Sequence, residues 1–192
     1  MRLILASTSP RRRELLSRLG VAFEVMSPRY EEVIDPAAAP EDQAVAFALG
    51  KARSVAAPDA VVLGSDTLVV VDRTILGKPT DPADARRMLG LLRHRAHRVI
   101  TAVAIIAPGR PDQGFVETAV VHMRDISDDD LFAYVATGEP LDKAGAYAAQ
   151  GIGARFIESI DGDPSTVIGL PLQRVAEALR QAGGSVSADV SL

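Results

Sequence analysis

The segment Ser7–Arg13 combines hydroxyl groups with three consecutive arginines at the predicted start of a helix. The first turn of a helix presents free N–H groups and the positive end of the helix dipole, so each cation there is unfavourable by ~0.3–1 kcal/mol. Hydroxyls, N–H groups and arginines together predict a binding site for a polyanion, most simply phosphate. The predicted ligands are Ser7, Ser9, Arg11 and Arg12. The alternative, a solvated helix face, applies mainly to Arg13.

Three acidic residues form a second group that could do chemistry. Glu31 and Glu32 are adjacent in a predicted loop, and Asp66 interrupts an apolar run with strand character. A carboxylate buried in such a run needs a partner, which is a lysine, a metal ion or a water molecule that it deprotonates. Oxygen ligands suit a hard divalent cation such as magnesium. The alternative for Asp66 is a turn or bulge over residues 64–67, where it would bond only to main-chain N–H groups.

The lysines form a third group, because 18 of the 21 basic residues are arginine and only Lys51, Lys78 and Lys143 are lysine. This bias favours positions that need a compact ammonium group, such as one that neutralises charge on phosphoryl oxygens. The chain has no cysteine and no plausible Ser-His-Asp arrangement. The predicted nucleophile is therefore water, which Asp66 would orient or deprotonate.

Alternating strand and helix patterns must position these groups, and they predict an α/β protein. Ser9 is a predicted N-cap with Pro10 at the first helical position. Other predicted helices cover residues 41–57 and 81–92 and begin at Ser127 and Pro171. Predicted strands cover residues 3–5, 21–26, 61–63, 68–71, 99–107, 115–124 and 157–160.

A glycine-rich segment, residues 137–157, contains four glycines that prevent one long regular element. Among them lie five polar residues with specific chemistry: Glu139, Asp142, Lys143, Tyr147 and Gln150. Loops that combine glycine with such side chains bind ligands more often than they merely connect elements. The segment is therefore a predicted part of a binding site.

Composition limits the class of protein. A net charge of −4 argues against a broad nucleic-acid-binding surface. The lack of cysteine excludes a disulfide framework and fits a cytoplasmic protein, and no apolar run approaches the ~20 residues of a membrane helix. We expect one domain over residues 1–182 and a flexible tail over residues 183–192.

Several motifs resemble those of the Maf family of nucleotide pyrophosphatases. They are ASTSPRRRELL, GSDT followed by LGKP, and TGEPLDKAGAY followed by QG and GLPL, and the resemblance extends from Leu3 to about Leu172. It implies an α/β fold similar to the inosine-triphosphate pyrophosphatases (Maf/Ham1-type), with a long mixed sheet, flanking helices and two lobes around a cleft. It also implies cleavage of nucleoside triphosphates to the monophosphate and pyrophosphate with a divalent metal cation, Mg²⁺ or Mn²⁺.

The resemblance also implies roles for individual residues. The family's proton acceptor matches Asp66, and its loop acid matches Glu32 best, with Glu31 beside it. These assignments make Glu32 and Asp66 the expected metal ligands. The three lysines match family motif positions, with Lys51 and Lys78 expected in catalysis and Lys143 in substrate binding.

Substrate choice in the family is linked to positions that correspond to Arg11, Thr67 and Gln150. The residues present resemble the branch that acts on dTTP and UTP, with modified uridine triphosphates as further candidates. A glutamine amide offers a donor and an acceptor to the O4/N3 edge of uracil or thymine. The alternatives are the sister branch, which acts on 7-methyl-GTP and other nucleotides, and a nucleotide-binding regulator of cell division. The resemblance further implies a homodimer that cleans the nucleotide pool.

Overall fold

A computed structural model describes residues 2–184 and 186 and shows a mixed α/β architecture. The strands are β1 (Arg2–Ala6), β2 (Glu24–Met26), β3 (Ala60–Val71), β4 (Thr74–Leu76), β5 (Ala96–Ile106), β6 (Gln113–Met123) and β7 (Ile157–Asp161). The α-helices are α1 (Pro10–Ser17), α2 (Pro40–Arg53), α3 (Pro82–Leu92), α4 (Asp128–Ala136), α5 (Pro164–Ile168) and α6 (Leu172–Gln181). Short 3₁₀ helices cover Glu139–Asp142, Ala144–Ala146 and Ile152–Phe156.

The strands form one seven-stranded sheet in the order β2-β1-β3-β5-β6-β7, with β4 paired to β3. β1 is parallel to both β2 and β3, whereas β4 on β3 and β7 on β6 are antiparallel. The sheet is therefore mixed, as expected.

Two compact units divide the chain. The first unit contains the residues up to Asp66, residues 101–117 and the stretch from Gly169 onward. The second unit contains residues 67–100 and 118–168. Each unit has buried apolar side chains of its own.

In the first unit, β1 and α1 follow the predicted pattern closely. Ser9 is the N-cap of α1, where its Oγ accepts a hydrogen bond from the Arg12 N–H at 3.4 Å, and Pro10 is the first helical residue. Leu15, Leu16 and Leu19 are fully buried. The apolar face and the cap therefore fix α1 where the sequence predicts it.

β3 corrects one prediction, because residues 60–71 form a single strand that no turn interrupts. The polar residues Ser65 and Asp66 remain in the strand because both have buried partners in the first unit. Ser65 Oγ donates to the Gly169 carbonyl oxygen at 2.9 Å, and Asp66 pairs with Lys51. Polar side chains that have buried partners can be accommodated within an apolar strand, so the turn interpretation of Asp66 is wrong.

The second unit has its own apolar core. It is formed by one face of α3, by α4, and by strand residues of β3 to β6. Asp81 and Ser127 cap α3 and α4 by accepting hydrogen bonds from the Asp84 and Asp130 N–H groups at 2.8 and 3.1 Å. Tyr134 is fully buried in this core and reaches the glycine-rich segment, as described below.

Smaller differences concern element bounds. α2 ends at Arg53 rather than residue 57, β2 is limited to its last three predicted residues, and α5 has no counterpart in the sequence prediction. Of the predicted tail, Gly183 and Gly184 follow α6, whereas residues 185 and 187–192 lie outside the described residues. None of the helices in the described ranges is long and apolar enough to span a membrane.

Candidate active site

Lys51, Asp66 and Glu32 form a charged group in the first unit. Lys51 Nζ lies 2.5 Å from Asp66 Oδ1 and 2.5 Å from Glu32 Oε1. The Lys51 and Asp66 side chains are 10% and 5% exposed, whereas that of Glu32 is 44% exposed. One buried ammonium therefore connects a buried carboxylate to a carboxylate that faces solvent.

The close approach of α2 to β3 brings Lys51 to Asp66. A Cβ atom at Gly64 would collide with the Ala48 carbonyl oxygen and would touch Ala52. Only glycine fits at this contact, so the helix backbone can lie directly on the strand. Lys51 lies on the same part of α2 and can reach Asp66, two residues beyond Gly64.

The acidic loop, residues 27–39, is fastened to the same helix at its beginning and its end. The Arg29 N–H donates to Ser54 Oγ at 3.0 Å, and the Tyr30 ring covers Gly50 so closely that a Cβ there would collide with it. Gln43 accepts a hydrogen bond from the Asp35 N–H at 2.8 Å and donates to the Ala38 carbonyl at 3.0 Å.

The two adjacent acids of the loop are both exposed and differ in their contacts. Glu32 pairs with Lys51, whereas Glu31 forms no ion pair among the described residues. The anchoring role of Gln43 was not predicted from the sequence. The signal was a glutamine on the buried face of α2, one helical turn before Phe47.

Asp66 Oδ2 is buried and has no hydrogen-bond partner among the described residues. Most buried polar atoms are paired, so this oxygen needs an explanation. A charged carboxylate held by Lys51 through one oxygen can use the other to accept a proton or to bind a cation. This arrangement is what a general base requires.

The turn before α1 brings the predicted phosphate ligands together. The Ser9 N–H donates to Ser7 Oγ at 3.2 Å, and Arg12 Nε donates to the Gly169 carbonyl at 3.0 Å. Burial lowers the pKa of the Arg12 guanidinium, while the charges of Asp66 and Glu32 act in the opposite direction. Arg12 thus lies within the electrostatic field of the carboxylate group.

Exposure separates the three arginines of α1. Arg11 and Arg12 are partly buried, and Arg13 is exposed. This difference agrees with the interpretation of Arg13 as the solvated residue.

In the second unit, Lys143 is held by its neighbours in the glycine-rich segment. Its ammonium donates to the Glu139 carbonyl oxygen at 2.6 Å and lies 2.5 Å from Asp142 Oδ1. The Lys143 side chain is only 11% exposed. The ammonium position is therefore set by one main-chain and one side-chain oxygen.

The Glu139 carboxylate collects hydrogen bonds from three groups of the second unit. Oε1 accepts from the Gly153 N–H at 2.9 Å and the Tyr134 hydroxyl at 3.0 Å, and Oε2 accepts from the Ile152 N–H at 3.0 Å. Burial acts to raise the pKa of Glu139, but these hydrogen bonds outweigh it and the pKa lies below its ordinary value. Glu139 was predicted only as a polar residue of a binding segment, and its anchoring role was not predicted.

The other predicted residues of the second unit are Thr67, Lys78 and Gln150. Thr67 follows Asp66 on β3 and is partly buried, Lys78 is exposed just after β4, and Gln150 is partly buried directly before Gly151. The structure thus brings Lys51, Asp66 and Glu32 together in one unit and positions Lys143 by direct contacts in the other.

His97 and Tyr147 form a buried pair in the second unit. His97 Nε2 lies 2.6 Å from the Tyr147 hydroxyl, and the rings meet edge to face. Burial lowers the pKa of His97 to about 4, with a smaller contribution from His122, and burial raises the pKa of Tyr147. Both side chains therefore stay neutral at neutral pH, and the hydrogen bond between them is structural.

The residues fit a divalent cation of the magnesium type. No group of three or more potential ligands among His, Cys, Asp and Glu occurs in the described part of the chain. Magnesium, however, is commonly held by one or two carboxylates, with substrate phosphates completing its coordination. Glu32 and the unpartnered oxygen of Asp66 supply such a donor set.

Comparisons with known proteins identify the family of the chain. A family profile described as Maf-like protein matches residues 2–182. A Gloeobacter violaceus protein named dTTP/UTP pyrophosphatase is 51% identical over 184 residues, covering 94% of this chain and 96% of the relative. A Moorella thermoacetica protein of the same name is 50% identical over 181 residues, covering 93% of each chain.

Among solved structures, the Staphylococcus aureus Ham1 protein has a TM-score of 0.51 and 14% identity. The match covers 95% of this chain and 97% of that chain. At this identity the likeness concerns the fold alone, and it confirms the expected fold class.

Proposed function

Since this chain belongs to the Maf family, we propose that it hydrolyses dTTP and UTP to the monophosphate and pyrophosphate. The observation that carries the reaction is Asp66, a buried carboxylate that is paired with Lys51 through one oxygen and unpartnered at the other. The name shared by relatives about half identical in sequence supports the choice of substrate.

In the proposed reaction, the Asp66 carboxylate accepts a proton from water as the water oxygen bonds to the α-phosphorus. The bond from that phosphorus to the bridging oxygen breaks, and pyrophosphate leaves. Lys51 holds the Asp66 carboxylate in place and offsets negative charge on the phosphoryl oxygens. We assign the same neutralising role to Lys78 and Lys143.

The start of α1 would hold phosphate oxygens. Its first N–H groups, the hydroxyls of Ser7 and Ser9, and the guanidinium groups of Arg11 and Arg12 are suited to this role. The Gly169 carbonyl fixes the Arg12 side chain by its 3.0 Å hydrogen bond. Phosphate binding would account for the arginines at this helix N-terminus, where the helix dipole makes cations unfavourable.

Glu32 and Asp66 would hold Mg²⁺ or Mn²⁺, which when bound neutralises phosphate charge and polarises the phosphorus centre. The anchored acidic loop supports this proposal, because three attachments to α2 keep Glu32 beside Lys51.

For base selection, we propose Thr67 and Gln150 together with Arg11. The Gln150 amide would pair with the O4/N3 edge of uracil or thymine, which also admits modified uridine triphosphates. Homodimer formation, a cytoplasmic location and a role in cleaning the nucleotide pool remain predictions.

The test is pyrophosphate release from dTTP, UTP, CTP, GTP and 7-methyl-GTP, each with Mg²⁺, Mn²⁺ or chelator. We expect the highest kcat/KM for dTTP and UTP and no turnover with chelator. In ¹⁸O-labelled water the label should enter the monophosphate, because attack occurs at the α-phosphorus. Preference for 7-methyl-GTP would favour the sister branch, and binding without turnover would favour a regulator.

A further inference from the structure

Glu139 joins the two parts of the glycine-rich segment that carry Lys143 and Gln150. Its carbonyl oxygen accepts a hydrogen bond from Lys143 Nζ, and its carboxylate accepts from the Ile152 and Gly153 N–H groups. One residue thus holds both a cationic side chain and the backbone immediately after Gln150.

Gly151 shows how closely the backbone follows this carboxylate. Its φ of 77° and ψ of −151° belong to a region that is nearly exclusive to glycine. A Cβ there would also lie 2.9 Å from Glu139 Oε2. The turn directly after Gln150 is therefore shaped around the Glu139 carboxylate.

Gly153 and Tyr134 complete the arrangement from the other side. A Cβ at Gly153 would lie 2.5 Å from the Tyr134 hydroxyl, which itself donates to Glu139 Oε1. Tyr134 is fully buried in the core of the second unit. The carboxylate is thus fixed to the core, and the two glycines fix the chain to the carboxylate.

We propose that Glu139 is a positioning residue that sets nucleotide selectivity, because it fixes the backbone from which Gln150 reads the base. This inference rests on the proposed function, in which Gln150 pairs with uracil or thymine. A side-chain amide discriminates between bases only when its direction is fixed. Loosening residues 151–153 should therefore lower the selectivity for dTTP over other nucleotides more than it lowers the overall turnover.

The experiment compares Glu139→Gln with the wild-type protein. The new amide places an NH₂ group against an N–H donor, so the variant loses at least one of the hydrogen bonds to Ile152 and Gly153. We expect the ratio of kcat/KM for dTTP to that for CTP to fall about tenfold, the equivalent of one hydrogen bond. A loss of folded protein alone would lower both values equally and leave the ratio unchanged.

Asp142→Asn is the matched control. It removes the carboxylate partner of Lys143 and leaves the contacts of residues 151–153 intact. We expect it to change kcat/KM for dTTP and CTP by the same factor. Tyr134→Phe is a second test that keeps the aromatic core. It should lower the ratio by about threefold, a smaller fall, because the carboxylate loses its bond to the core but keeps those to the Ile152 and Gly153 N–H groups.

Amide hydrogen exchange separates this inference from the proposed function. Exchange at Ile152 and Gly153 should be about tenfold faster in Glu139→Gln than in the wild-type protein. Wild-type exchange rates, or faster exchange with an unchanged dTTP/CTP ratio, would overturn the positioning role while the wild-type preference for dTTP stands. A wild-type protein without that preference would overturn both.

Discussion

Asp66 and Glu139 are two carboxylates that the molecule uses in opposite ways. Asp66 has a side-chain ammonium on one oxygen and no partner on the other among the described residues. Glu139 accepts hydrogen bonds on both oxygens, from two main-chain N–H groups and a phenol. Asp66 is thus held by an ion pair and keeps one oxygen without a partner, whereas Glu139 is held mainly by main-chain hydrogen bonds.

The difference teaches what each kind of partner permits. An ammonium on a flexible stem neutralises a carboxylate but leaves room for a proton or a cation on its second oxygen. Main-chain N–H groups that bond to both oxygens of a carboxylate fix its position, so the group becomes a structural element. We therefore expect substitutions around Asp66 to change turnover of all nucleotides and those around Glu139 to change the choice among them.

The largest expected effect is that of Asp66→Asn. An amide cannot accept the proton, so kcat should fall about 1,000-fold for every nucleotide while their ratios stay constant. The measurement is pyrophosphate release at saturating substrate. Asp72→Asn is the control, since Asp72 lies just after the end of the same strand in an exposed pair with Arg95. Undiminished turnover in Asp66→Asn would remove Asp66 from the reaction.

The next effect concerns stability. Lys51→Met leaves the buried Asp66 without its cation, so the free energy of unfolding should fall by about 3 kcal/mol. Thermal unfolding should shift downward by about 10 °C for a chain of this size. The control Arg95→Met removes an exposed pair and should change stability by less than about 1 kcal/mol. Equal losses in both variants would contradict the view that burial makes Lys51 essential.

A smaller loss of stability is expected when the contact between α2 and β3 at Gly64 is disturbed. Gly64→Ala should lower the free energy of unfolding by about 2 kcal/mol, because the methyl group collides with the Ala48 carbonyl. It should also lower kcat by moving α2, and with it Lys51. Gly90→Ala is the control, since this glycine of α3 has no atom within 4 Å of the added methyl, so the free energy should rise by about 0.5–1 kcal/mol. A neutral Gly64→Ala would show that α2 can shift at no cost.

The smallest stability effect is expected for Arg11→Ala. Removing a cation from the first turn of α1 should leave the free energy of unfolding unchanged or raise it by about 0.5 kcal/mol. KM for dTTP and UTP should increase several-fold if Arg11 binds the nucleotide, whereas Arg13→Ala should leave KM unchanged. A large loss of thermal stability without ligand would identify Arg11 as structural.

The sequence predicted the helix starts and the buried strands because caps and apolar patterns are local signals. Ser9 and Ser127 both act as N-caps where expected. The need of Asp66 for a partner was also predictable, since burial of an unpaired carboxylate in an apolar strand is costly. The pattern could not show that Lys51 is that partner, because this depends on the approach of α2 at Gly64.

The partners of the anchoring residues could not be predicted from the sequence for a similar reason, although Gln43 stands out as a polar residue on an apolar helix face. Gln43 and Glu139 bind main-chain groups, and a main-chain partner leaves no signature of residue type. The strand was divided wrongly at Gly64–Thr67 because glycine and polar residues usually signal a turn. In the structure, Ser65 donates a hydrogen bond to the Gly169 carbonyl oxygen. This partner lies 104 residues away along the chain, so no local pattern indicates it.

The attachments of the acidic loop have a consequence for its local unfolding. Its residues are mostly exposed, yet Arg29, Tyr30 and Asp35 are tied to the C-cap, the last turn and the first turn of α2. Because both ends of the loop are attached, it cannot fray from one end and should be released only when the attachments open together. Tryptic cleavage after Arg29 should therefore report the concerted release of the loop.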